Sequence, residues 1–147
     1  MHFIILILSL PTSNATVRMR AWRMLKTSGA AVLHDGVYLL PEHCRETLES
    51  TAVDVRSGGG KAIVLRVEQP EGEDFAVLFD RAADYAALLT DIGNARAALS
   101  ASNVTESIKQ ARKLRKAFSK VSEIDFFPGE ARRQIDAALQ ELEEMNA

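Results

Sequence analysis

The sequence predicts an α+β fold: an antiparallel sheet with two helices on one face, followed by an α-helical extension. Three observations carry that expectation. Phe3 to Leu10 is a short run, apolar but for Ser9, that ends at a Pro-Thr-Ser-Asn cluster, as a buried strand does. Asp35-Gly36 interrupts an apolar stretch in the manner of a hairpin turn. No strand pattern follows residue 69, where the chain becomes helical and alanine-rich.

The first run has a competing reading as a secretory leader, with Ser13-Asn14-Ala15 as a loose cleavage site. Such a leader needs a positively charged beginning, and only His2 precedes the run. A buried strand is therefore expected. Thr12, Ser13 and Asn14 then offer oxygens to cap a helix starting near Ala15. Val17, Ala21, Met24 and Leu25 share one face of it, with Trp22 at the margin. Arg18, Arg20, Arg23 and Lys26 cover much of the rest, and Gly29 stands where a C-terminal cap belongs.

Ala31 to His34 and Val37 to Leu40 read as two strands around Asp35-Gly36. A type I′ turn there needs positive φ at both central residues. A single bulged strand is the alternative. Pro41-Glu42 opens a second helix with Leu48, Ala52 and Val55 spaced for burial, ending in Ser57-Gly58-Gly59-Gly60. Lys61 to Glu68 resumes as a strand. The order β-α-β-β-α-β, over residues 1–69, is that of a split βαβ or ferredoxin-like unit.

Residues 70–147 are expected to pack on that unit as a helical extension within one compact domain. Phe75, Val77, Leu78 and Phe79 either open a helix or form a short extended piece. Asp80 to Leu99 reads as a helix with Ala83, Ala86 or Ala87, and Leu89 inward, and with Gly93-Asn94 as a possible kink. Val104 to Ser122 follows, with Val104, Ile108, Ala111, Leu114, Phe118 and Val121 as its apolar stripe. After the turn Phe126-Phe127-Pro128-Gly129, Glu130 to Met145 completes a helical hairpin.

Composition is that of a globular domain, 47% hydrophobic and 26% charged. A net charge of −2 gives no global attraction to nucleic acid, so any such contact needs a local basic patch. One exists. Lys109, Arg112, Lys113, Arg115, Lys116 and Lys120 crowd a single helix, while Glu130, Asp136, Glu141, Glu143 and Glu144 load the next. Two readings stay open: opposite charges that pair across the hairpin, or a strip in which Lys109, Arg112, Lys113, Arg115 and Lys116 contact phosphates.

Other chemistry is poorly represented. The single cysteine, Cys44, excludes an intrachain disulfide and suits the cytoplasm. His43 and Cys44 are neighbours rather than ligands at helical spacing, so no metal and no cofactor is expected. Ser57-Gly58-Gly59-Gly60-Lys61 lacks the ending of a phosphate loop and precedes a strand. No catalytic triad or carboxylate pair stands out.

Leu10-Pro11-Thr12-Ser13-Asn14-Ala15-Thr16-Val17-Arg18-Met19-Arg20-Ala21-Trp22-Arg23 and Asp35-Gly36-Val37-Tyr38-Leu39-Leu40-Pro41 resemble the N-terminal domain of ChrB, the chromate-resistance regulatory family. Phe79-Asp80-Arg81, Asp84-Tyr85-Ala86 and Ile124-Asp125-Phe126-Phe127-Pro128-Gly129 resemble later stretches of that domain. Longer members carry a C-terminal domain after this region. The resemblance implies a chromate-responsive, non-enzymatic transcriptional regulator that acts with operator DNA as a homodimer, away from the membrane. An accessory protein-interaction role is the alternative.

A more distant resemblance is to the ferredoxin-like CRISPR-associated adaptation nucleases and to PaaX-type repressors. Those nucleases hold a divalent metal through an aspartate ending the first strand, where this chain has Ser9 and Leu10. Serine is a poor ligand for a hard cation, which argues against phosphodiester cleavage. Arg18, Arg20, Arg23 and Lys26 remain as candidates for an oxyanion such as chromate, or for DNA phosphate. A solvated helix face with an arginine paired to an acid, Asp35 for example, is the alternative.

Overall fold

In the computed structural model, which describes residues 1–146, the N-terminal apolar run forms β1 (His2–Ser9), a central strand. The other strands are β2 (Ala31–His34), β3 (Val37–Pro41) and β4 (Lys61–Glu68). They form one sheet in the order β2-β3-β1-β4, with every neighbouring pair antiparallel. Leu6 stands opposite Tyr38 on one side and Val64 on the other. The chain divides into two compact units, Met1–Phe79 and a second starting at Asp80.

Strand alternation puts Ile4, Leu6, Leu40 and Ala62 on one face of the sheet, and all four are buried. Helix α2 (Arg45–Ser57) packs against β1 and β4, and α1 (Ala15–Thr27) packs against α2. They contribute Val17, Ala21 and Leu25, then Leu48, Thr51, Ala52 and Val55. The opposite face carries Phe3, stacked on Phe79 at 6.2 Å and meeting Phe75 edge-on at 5.2 Å. Both phenylalanines belong to a short 3-10 turn, Phe75–Phe79.

Local chemistry explains the ends of α1. The Val17 N–H donates to the Asn14 side chain, which also donates to the Gly58 carbonyl at 2.7 Å and so ties α1 to the end of α2. Gly29, at φ 80°, turns the chain out of the helix, and the Ala30 N–H closes back on the Leu25 carbonyl at 3.0 Å. The hairpin between β2 and β3 forms as two strands but not with the expected turn. Only Gly36 has positive φ (75°), and Asp35 does not, so the type I′ geometry is absent. A register irregularity between Val32 and His34 accommodates the difference.

The second unit consists of α3 (Ala82–Ala97), α4 (Val104–Glu123) and α5 (Glu130–Met145). Its core joins Tyr85, Leu88 and Ile92 to Ala111, Leu114 and Phe118, and to Ile135, Leu139 and Leu142. The inward face of α3 therefore differs from the expected one: Ala83, Ala86, Ala87 and Leu89 are exposed. Tyr85, Leu88 and Ile92 recur at the same helical spacing and bury far more apolar surface than a row of alanines. Helix α3 runs without interruption through Gly93-Asn94.

One polar bond crosses this core. The Tyr85 hydroxyl donates to Asp125 at 2.6 Å, and burial together with that bond pushes the tyrosine up to about 12. The neutral phenol is thus favoured in the folded state. The corresponding stability is fully present below the ordinary tyrosine value of 10 and is lost as pH rises towards 12. Tyr85→Phe leaves the buried Asp125 without its donor, which is expected to destabilise this unit by about 1–3 kcal/mol. Absorbance titration of tyrosinate checks the assignment. The variant loses the step near 12, and persistence of that step in Tyr85→Phe contradicts it.

Candidate nucleic-acid interface

Helix α4 is amphipathic because Ala111, Leu114 and Phe118 recur at helical spacing and turn into the bundle. At 100° per residue, Lys109, Lys113, Lys116 and Lys120 lie on the diametrically opposite side, with Arg112 at its edge. All five are exposed, and none forms an ion pair or hydrogen bond among the described residues. The acids of α4 stand only near its ends, Glu106 and Glu123. The result is a continuous cationic stripe.

Arg115 is different. It lies off the stripe and reaches α5, donating to Asp136 at 2.7 Å and to both carboxylate oxygens of Glu143. Its guanidinium also stands 5.6 Å from the centre of the Phe118 ring. Bonding to Glu143, then to Asp136, raises its pKa further above the ordinary arginine range. Of the two readings of these helices, charge pairing across the hairpin operates through Arg115 among the described residues. The remaining carboxylates of α5 that have partners find them elsewhere, Glu130 on Arg133 and Glu141 on Arg96.

The second candidate cluster does not converge. Arg20 makes a bidentate pair with Asp54 on α2, at 2.8 and 2.9 Å, rather than with Asp35. That bond raises the arginine and lowers the Asp54 carboxyl below its usual range. Arg18 donates to the Pro11 carbonyl at 3.2 Å, and Lys26 covers the half-exposed Trp22 ring at 4.7 Å. Arg23 is exposed and has no partner among the described residues. It borders two shallow depressions of about 450 and 480 Å³, together with Arg20, one reaching Thr16 and the other Thr27 and Thr47.

Cys44 is partly buried, and burial pushes its thiol up, away from the reactive thiolate. Among the described residues, no three His, Cys, Asp or Glu side chains are placed to hold a metal ion. No helix among them is long and apolar enough to cross a membrane.

Fold and surface together define a two-unit protein, an α+β unit followed by a three-helix bundle, that presents a basic helix face suited to a polyanion. The chain belongs to the family described as Protein ChrB, N-terminal, whose model matches residues 18–147. It is also similar to Protein ChrB of Cupriavidus metallidurans, at 38% identity over 134 residues. That alignment covers 88% of this chain and 41% of the relative, so the chain spans about two fifths of the relative's length. No solved structure matches.

Proposed function

We propose that the chain is the DNA-contacting part of a chromate-responsive transcriptional regulator and is not an enzyme. One observation carries the DNA contact: five cations on the outer face of α4 without partners among the described residues. Charges held together in this way repel one another, and a phosphate backbone relieves that repulsion while releasing its own counterions. Membership of the ChrB family supports the chromate-linked role. The element order and the sheet order β2-β3-β1-β4 support reading the first unit as ferredoxin-like.

A second copy of the chain as partner is favoured by the apolar side chains left on the sheet face opposite α2. Ile7, Ile63 and Leu65 are 40%, 55% and 45% exposed there. An oxyanion such as chromate has Arg23 as its best available contact on α1, since the neighbouring cations are engaged. A cytoplasmic setting accords with all these roles.

Fluorescence anisotropy with a labelled duplex from upstream of a chromate-resistance operon tests the reading. Binding at submicromolar protein in 50 mM salt, weakened by about two orders of magnitude at 200 mM, is the expected result for four or five phosphate contacts. No binding at micromolar protein in low salt refutes it.

A further inference from the structure

Granting that α4 faces DNA, the geometry points to a narrower role: we infer that the stripe grips phosphates of a duplex without reading its sequence. The argument starts from side-chain chemistry. Four of the five cations are lysines, compact charges on flexible stems that meet a phosphate in many geometries and impose little directional selection. Base reading in a groove is most directional with forked or planar groups, arginine on guanine and asparagine or glutamine on adenine, although lysine also contacts guanine. Of the two arginines of α4, Arg115 is withheld from such work because Asp136 and Glu143 occupy its fork, and Arg112 stands at the edge of the stripe rather than on its midline. The stripe itself contains no Asn or Gln.

Spacing agrees with a backbone contact. At a rise of about 1.5 Å per residue, Lys109 and Lys120 lie about 16 Å apart along the helix, with Lys113 and Lys116 between them at intervals of about 4.5–6 Å. A rod of evenly spaced charge matches a rod of regularly spaced phosphates. A single strand is disfavoured as the target, because the stripe offers no aromatic ring on which an unpaired base can stack. The aromatic of α4 is Phe118, buried in the bundle core. Selection of a particular operator then falls to a surface other than α4.

The test uses the full chain with two 20-base-pair duplexes, one from the operon's upstream region and one of scrambled sequence. For each, affinity is measured from 50 to 200 mM salt. The inference expects a slope of log affinity on log salt near −4 for each duplex, and a ratio of the two affinities that stays within about threefold of its starting value when the α4 lysines are changed. Each exposed lysine changed to glutamine, Lys113→Gln or Lys116→Gln, is expected to flatten that slope by about one for both duplexes. Unchanged helical content and Tm in these variants guard against misreading a folding defect.

A preference above tenfold for one duplex that disappears in the glutamine variants overturns the inference, since the lysines then help to read sequence. It leaves DNA binding intact. Absence of binding to both duplexes refutes the proposed function itself. Binding whose slope ignores all the lysine changes places the contact off α4 and also overturns the inference.

Discussion

Lys109→Glu, Lys113→Glu, Lys116→Glu and Lys120→Glu combined are expected to lower affinity for duplex DNA by about a thousandfold or more at 0.1 M salt. The size follows from counterion release. Each phosphate contact contributes a factor of about eight at that salt, and four such factors multiply to several thousand before the repulsion of new carboxylates is added. These side chains point away from Ala111, Leu114 and Phe118, so the bundle core is untouched by their reversal. Only small changes in stability are expected from exposed charges of this kind, about 0.5 kcal/mol each. Retained affinity in a folded quadruple variant excludes α4 as the contact surface.

Gly36→Ala is expected to produce a large loss of stability in the first unit. Two costs combine. Gly36 has φ 75°, where an L-residue is penalised by about 1–2 kcal/mol. An added Cβ also falls 2.5 Å from the Leu8 carbonyl oxygen, which is backbone of the central strand and has no rotamer with which to yield. The Gly36 carbonyl simultaneously accepts from the Leu8 N–H at 2.8 Å, so moving the turn away breaks a bond. The combined cost is about 2–4 kcal/mol. Gly72→Ala isolates the first term, because Gly72 shares the positive φ (83°) but has nothing within 4 Å of an added Cβ. Hydrogen exchange of the most protected amides of the first unit, which report its overall stability, checks both variants. Equal losses of protection in the two variants contradict the steric account.

Much of this architecture is legible in the residues, and the illegible parts have physical causes. The bounds of β4 and α5 coincide with expectation because glycine-rich or Pro-Gly turns flank clear periodic patterns. The inward face of α3 was ambiguous because alanine satisfies either side, and only packing against α4 and α5 selects Tyr85, Leu88 and Ile92. The Arg20–Asp54 pair joins residues on different helices, so no local spacing reveals it. Six cations on α4 look alike in sequence. What separates Arg115 from the others is the register of α5, which brings Asp136 and Glu143 beside it. Lys120, outside the expected set of contacts, extends the stripe by one turn because it lies on the same helical meridian as Lys109.

The chain has six lysines, four of them on the α4 stripe and the others at positions 26 and 61. Amine-reactive footprinting with and without a bound 20-base-pair duplex therefore tests the central claim most directly. Lys109, Lys113, Lys116 and Lys120 are expected to be protected together, with Lys26 and Lys61 modified at unchanged rates. Protection of Lys26 or Lys61 while the four α4 lysines stay reactive contradicts the placement of DNA on this helix.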